Sequence, residues 1–134
     1  MANLQDIMQG VEVRLATIPG LRVSDTVPGQ VNPPQAFVGV PPVDSYVTSL
    51  GGPRPTLAPT VTVLVSAAVD RTGQLALAAY ADPSGPSSIP AAIAADSTLG
   101  GVVGGCQVRS FRPLNLEEVG VIGYFGGEFT LRVI

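Results

Sequence analysis

Glycines and prolines interrupt this chain at short intervals, and we expect them to mark the borders of its helices and strands. The 134 residues include 16 glycines and 13 prolines. Many of them stand in pairs, as in Pro19-Gly20, Pro33-Pro34, Pro41-Pro42 and Gly126-Gly127. Proline cannot continue a helix or donate a ladder hydrogen bond, and glycine favours turns. The pattern predicts short elements with sharp borders, and the length predicts one domain over residues 1–134.

The residue types present exclude most known kinds of catalytic site. The chain has no histidine, one cysteine and seven basic residues, all of them arginine. Without histidine there is no Ser-His-Asp or Cys-His pair and no imidazole ligand, and without lysine there is no P-loop lysine or Schiff base. Cys106 follows the run GGVVGG, which lacks phosphate-loop spacing, and we expect this cysteine to be a small buried hydrophobe. We expect no catalytic residue, no cofactor and no metal.

A pair of carboxylates is the catalytic device that remains. Glu117 and Glu118 are adjacent, so they would face opposite sides of a strand. Asp70, Asp82 and Asp96 stand beside turns or helix ends, where capping explains them. An acid–base pair assembled by folding stays open as an alternative to the prediction that the protein is not an enzyme.

Charge is scarce and slightly acidic. Charged residues make up 13% of the chain, the formal net charge is -3 and the isoelectric point is about 4.6. This balance argues against binding to nucleic acid, which needs clustered basic residues. The uncharged stretch over residues 55–69 is shorter than the roughly 20 residues of a spanning helix, and the N-terminus lacks a basic leader region. We expect a soluble intracellular product whose low charge favours oligomers, with an ordinary monomer as the alternative.

Apolar spacing predicts three helices and several strands. The first helix covers residues 4–17, with one apolar face made by Leu4, Met8, Val11, Leu15 and Ile18 and with Ile7 at its flank. Two further helices are predicted over 74–82 and 89–96, the latter capped by Ser87 or Ser88. The strands are predicted over 21–27, 35–40, 60–67, 107–112, 117–124 and 128–134, with 60–67 central and with a tight turn at Gly126-Gly127.

These elements predict an α+β fold in which a mixed or antiparallel sheet is packed by the N-terminal helix and the mid-chain helix pair. Residues 43–59 lack a firm periodic signal and contain a Gly-Gly-Pro turn, so they predict a projecting hairpin or loop. A contact with a neighbouring subunit and an idle surface loop are equally good interpretations of it. As subunit-interface residues we predict Tyr46, Arg54 and Leu57 in this arm and Arg132 in the last strand, since tyrosine and arginine are enriched at interfaces.

Four segments, taken in order, carry a resemblance to a known family. They are LQDIMQGVEVRLATIPGLRV (4–23), SIPAAIAADSTLGGVV (88–103), CQVRSFRPL (106–114) and YFGGEFTLRVI (124–134). With them the chain resembles the tail terminator, or tail completion, proteins of long-tailed phages that infect high-GC actinobacteria. The segment DSTLGG (96–101) is similar to the family's helix-ending Asp-x-Thr-Leu-Gly-Gly turn, with Ser97 where proline is common.

The resemblance implies a structural virion protein that is not an enzyme. It implies a homohexameric ring that caps the completed tail tube, stops addition of tube protein and meets the head-tail connector or stopper protein. DNA would pass through the lumen without specific binding, no membrane is involved, and the protein would be made in the host cytoplasm and end at the head-tail junction of the virion. The alternatives are another neck or minor tail protein, such as a head-completion or stopper protein, and a small-molecule binding module with an apolar pocket.

Overall fold

A computed structural model describes residues 4–24, 26, 33–40, 43–45, 56–66, 71–119 and 122–133. The helices of this part are α1 (Leu4–Leu15), α2 (Arg71–Ala81) and α3 (Ile89–Ala94). Its strands are β1 (Arg22–Ser24), β2 (Gln35–Val38), β3 (Val43–Ser45), β4 (Thr56–Leu57), β5 (Thr60–Ser66), β6 (Cys106–Val119) and β7 (Ile122–Val133). The predicted α+β class is confirmed, and no helix in the described ranges is long and apolar enough to cross a membrane.

The seven strands form one mixed sheet. In this sheet β5 lies between β2 and β7, β1 pairs with β2, and β6 pairs with the other edge of β7. Leu57 of β4 pairs with Val133 and Thr60 of β5 pairs with Thr130 in the same register. Strands β4 and β5 therefore pair with the same edge of β7 in one continuous register and are separated by residues 58–59. The β1–β2 pair is parallel and the other pairs among the described strands are antiparallel.

Helix α1 forms because its apolar side chains recur at helical spacing. Ile7, Met8, Val11 and Leu15 are buried, as is Ile18 just beyond the helix. The sequence placed Ile7 at the flank of this face, whereas it is fully buried, because α1 packs against both the sheet and α3. Asp6 lies in the first turn and Arg14 in the last, each at the end of the helix dipole that suits its charge.

Helices α2 and α3 lie on the same face of the sheet as α1. Side chains from all three helices join one core cluster with inward residues of β5 and β7. Of the two predicted caps, Ser88 is the one used: its Oγ accepts a hydrogen bond from Ala91 N at 3.1 Å, and Pro90 lies in the first turn. Helix α3 ends at Ala94, before the predicted end, because a turn built on Asp96 begins there.

Strand β7 carries the alternation that the sequence predicted. Phe129, Leu131 and Val133 are buried in the core cluster, while Thr130 is half-buried and Arg132 is exposed on the other side. Strand β5 likewise places Val61 and Val63 in the core. The predicted central position of this uncharged strand is confirmed.

The predicted turn at Gly126-Gly127 is wrong. Both glycines lie inside β7, where Gly126 pairs with Leu64 on one side and Leu114 on the other. The chain instead reverses between Val119 and Ile122, so that two long strands replace the three short ones predicted over residues 107–134. The physical reason is close packing: a Cβ at Gly126 would lie 1.9 Å from the Val63 carbonyl oxygen.

The described strands also include the base of the predicted arm. Strands β3 and β4 pair antiparallel, with Val43 opposite Leu57 and Ser45 opposite Thr56. Of the two forms predicted for residues 43–59, a hairpin or a loop, the described base consists of paired strands. Residues 46–55, which include the rest of the arm, lie outside the described residues.

Candidate functional site

The four predicted interface residues fall into two groups. Tyr46 and Arg54 lie outside the described residues. The backbone of Leu57 pairs with Val133 at the end of β7, directly beside the exposed Arg132. The fold therefore brings the base of the arm and Arg132 to one place on the sheet.

Arg132 belongs to the face of the sheet that the helices do not cover, which we call the open face. Its described polar side chains stand in cross-strand rows, because the register places Thr60 and Ser110 beside Thr130 and places Gln107 beside Arg132. A third row comprises Thr62, Glu128 and Arg112. The β6 members of these rows are exposed and the β5 members are half-buried. The open face thus combines hydroxyl groups with arginines.

One ion pair crosses the open face. A terminal guanidinium nitrogen of Arg112 lies 3.5 Å from Oε1 of Glu128. The Arg112 side chain is 69% exposed, so the pair contributes at most about 1 kcal/mol to stability. Arg109, which stands at a bulge in β6, and Arg132 are exposed, and the structure records no ion-pair partner for either among the described residues.

The open face also has an apolar end. Phe37, Leu64 and Tyr124 form a buried cluster separate from the main core. Leu64 pairs with Gly126 and Phe37 with Thr62, so these side chains share a face with the polar rows. The exposed part of the open face is therefore the polar end, which is made by the first residues of β6 and the last of β7.

A surface groove lies on the opposite side of the molecule, where α1 meets the turn after α3. We call it the α1 groove; it has a volume of about 310 Å³ and is open to solvent. Its α1 wall includes Asp6, Gln9 and Val13, and the turn supplies Asp96 and Val102. Val13 is 64% exposed although it is apolar. The groove therefore has an apolar strip with a carboxylate on either wall.

The turn that forms this groove is held by Asp96. The Asp96 carboxylate accepts hydrogen bonds from Thr98 N at 3.2 Å, Thr98 Oγ1 at 2.6 Å and Gly100 N at 3.0 Å. These donors, above all the Thr98 hydroxyl, lower the pKa of Asp96 from its ordinary 3.8, and the charge of Arg14 lowers it further. The carboxylate stays ionised at neutral pH. The prediction that Asp96 caps a turn is confirmed.

Helix α1 and the Asp96 turn are in close contact at Gly10. A Cβ added at Gly10 would lie 2.9 Å from Leu99 Cβ, so the glycine lets the buried Leu99 approach the helix backbone. Arg14 Nε donates a hydrogen bond to the Ala92 carbonyl oxygen at 3.1 Å, which ties α1 to α3. Leu99 has a positive φ of 53°, and the glycines that follow it at 100 and 101 share this left-handed backbone.

A second groove, of about 470 Å³, lies between α3 and the first residues of β6. Pro90 and Ala94 line one wall, and Cys106 and Val108 line the other. Burial raises the pKa of the Cys106 thiol to about 11, so this thiol stays protonated at neutral pH. The expectation of a small buried hydrophobe is confirmed by its 3% exposure.

Sequence reasoning missed that Asp6 and Asp96 share a groove. They are 90 positions apart, and their separate patterns indicated only a helix start and a turn. As a carboxylate with a lowered pKa, Asp96 is a poor proton donor, and its oxygens are engaged by the turn. No group of three or more metal-ligating side chains occurs within the described residues.

Comparison with known proteins adds no relative: no protein-family model matches the chain, and no curated protein sequence matches it.

Proposed function

We propose that this chain is a structural virion protein that forms a ring on the completed tail tube, ends tube polymerisation and joins the tail to the head connector. The proposal rests on the ordered resemblance to tail terminator proteins. One structural observation supports it: the four segments that carry the resemblance pack as one unit. Helix α1 contacts α3, α3 contacts β6, and β6 pairs along β7.

The turn DSTLGG gives this unit its best-defined local contact. Asp96 holds the turn, and Leu99 within it packs on Gly10 of the first segment. Two segments of the resemblance, about 90 residues apart, therefore meet through residues that belong to their quoted motifs. Such mutual dependence supports a shared fold, since each segment needs the other to bury its apolar residues.

Surface chemistry supports a role in assembly. The exposed large hydrophobic residues of the described chain are Val13 in α1, Val40 after β2 and Leu75 in α2. Both grooves are open clefts at the surface. These features favour contact with protein surfaces over capture of a small molecule, which uses an enclosed apolar pocket. The proposed partners are other copies of the chain, the tail tube protein and the connector or stopper.

Genetics in the phage tests the function. With the gene interrupted by an early stop codon, we expect tails of uncontrolled length that do not join heads, and we expect a plasmid copy to restore normal particles. Loss of a stopper or head-completion protein would instead leave tails of normal length that are detached from heads. Normal tails joined to heads would contradict every version of the proposal. Electron microscopy of the lysates reads all these outcomes.

Deletion of residues 51–55 tests the arm. We expect the shortened protein to stay folded, because the deletion lies between β3 and β4 and leaves their pairing intact. We expect it to be a monomer that no longer forms sixfold rings in light scattering and negative-stain images. Hexamers of the shortened protein would remove the arm from the interface and leave the proposed function standing.

A further inference from the structure

We propose that the open face of one copy docks into the α1 groove of the next copy, with Arg132 entering the groove. This inference rests on the proposed ring and names the two surfaces that would form it. The partner is a second copy of this chain, and the contact joins opposite sides of the molecule. It is therefore a head-to-tail contact, the kind that generates rings when the rotation closes.

Charge is the first argument, because the two surfaces carry opposite signs. The exposed end of the open face has Arg112 and Arg132 against Glu128. The α1 groove has Asp6 and Asp96 against Arg14, whose Nε is hydrogen-bonded to Ala92. In a chain with only 13% charged residues, this separation of signs brings complementary potentials to opposite sides.

Shape and chemistry of the groove are the second argument. Arginine combines an apolar stem with a planar cationic head that suits carboxylates. In the α1 groove, the exposed Val13 offers a surface for the stem, and the carboxylates of Asp6 and Asp96 lie on the walls. Asp96 keeps its charge because the turn donates hydrogen bonds to it, and each carboxylate oxygen can accept more than one. The groove thus fits Arg132, the arginine in the rows of the open face for which the described residues record no ion-pair partner.

Position is the third argument. Arg132 stands near the end of β7, next to the β4 segment that leads out of the predicted arm. A neighbour docked at this end of the open face would therefore lie beside strand β4.

The open face could alternatively hold a polyanion such as duplex DNA. Phosphate binding grows with the number of arginines or lysines that contact the backbone. Here Arg112 is already paired with Glu128, so Arg132 is the arginine that remains in the cross-strand rows of the open face. A single arginine favours a protein groove with matched carboxylates, and a nucleic-acid contact becomes an outcome of the test.

Crosslinking between variants that each carry one added cysteine tests the docking directly. Gln9 lies in the groove and Gln107 stands beside Arg132, and both are exposed. We expect a short bismaleimide to join Gln9→Cys to Gln107→Cys when the two variants are mixed, and to join neither variant to itself. The native Cys106 is buried and does not compete. No crosslink in the mixture, or crosslinks only between like copies, would overturn the inference.

Charge reversal adds a readout of strength. We expect Arg132→Glu and Asp6→Arg each to weaken self-association at least about tenfold, because like charges would face each other. Mixing these two variants should restore it, since every contact in an alternating ring is then complementary. Arg71→Glu is the matched control. Arg71 is an exposed residue of α2 outside both surfaces, so this variant should self-associate like the wild type.

Self-association of Arg132→Glu equal to that of the wild type would refute the docking. If this variant had also lost binding to a duplex oligonucleotide, the open face would be assigned to nucleic acid. Complementation of the interrupted gene separates the two proposals: a charge-reversed variant that restores normal tails refutes the docking alone, whereas normal tails without the protein refute the ring itself.

Discussion

Gly126 is expected to be the least replaceable glycine of the described chain. An alanine Cβ at this position would lie 1.9 Å from the Val63 carbonyl oxygen and 2.9 Å from Leu64 Cα. Ordinary carbon–oxygen contacts between strands are about 3.3–3.6 Å. Strand β7 would have to move away from β5, which lies at the centre of the sheet and cannot relax without disturbing its own pairing with β2.

The cost follows from this geometry. Overpacking in a well-packed core costs about 1–3 kcal/mol, and a clash with backbone belongs at the upper end of that range. With an unfolding entropy of about 2.1 cal/mol/K per residue, a loss of about 3 kcal/mol lowers Tm by roughly 10 °C in a chain of this length. We expect Gly126→Ala to show this decrease in thermal unfolding followed by circular dichroism.

Two variants calibrate the result. Gly127→Ala should cost less, because its Cβ would meet the ring of Phe111 at 2.4 Å, and a half-buried side chain can shift where backbone cannot. Gly39→Ala is the matched control, since nothing lies within 4 Å of its added Cβ. It should be neutral or stabilising by about 0.4–1 kcal/mol through the unfolded state. A Gly126→Ala protein that unfolds within about 2 °C of the wild type would refute the close approach of β7 to β5.

Three further predictions concern stability and reactivity. Ser88→Ala removes the cap of α3 and should destabilise the fold by about 1 kcal/mol in urea titration, whereas Ser87→Ala should have little effect; equal midpoints would contradict the cap. Because the pKa of Asp96 is lowered on folding, its contribution to stability is present above its ordinary value of 3.8 and is lost as the pH falls through the lower folded value. Asp96→Asn should therefore flatten the acid limb of the plot of stability against pH, and parallel limbs for the wild type and Asp96→Asn would exclude the linkage. Cys106 should react with a thiol reagent at pH 8 only after denaturation, since burial raises its pKa to about 11; fast labelling of the native protein would show that the groove exposes the sulfur.

The elements that could be predicted from the sequence are those whose signal is local. Helix α1 has apolar residues at helical spacing, and β5 is β-branched and uncharged, so both are found close to where they were predicted. The Ser88 cap and the alternation in β7 are equally local signals. Each depends on a few neighbouring residues and on periods that backbone geometry sets.

The Gly126-Gly127 prediction failed because glycine has two uses. It permits turns, and it also permits close approach of another backbone. The choice between them depends on Val63 and Phe111, which are distant in the chain. The shared groove of Asp6 and Asp96 could not be found for the same reason, since no local pattern links the two residues.

Residue identity and spacing within one or two turns are enough to predict the main helices and strands, the lack of histidine and lysine chemistry, and the motif DSTLGG. The folded chain was needed to show that the helices cover one face of the sheet, that Arg112 and Arg132 lie on the other, and that two carboxylates meet in a groove. Strand pairing and helix packing bring together residues far apart in the chain, and the register that sets their neighbours is chosen by burial of the whole core.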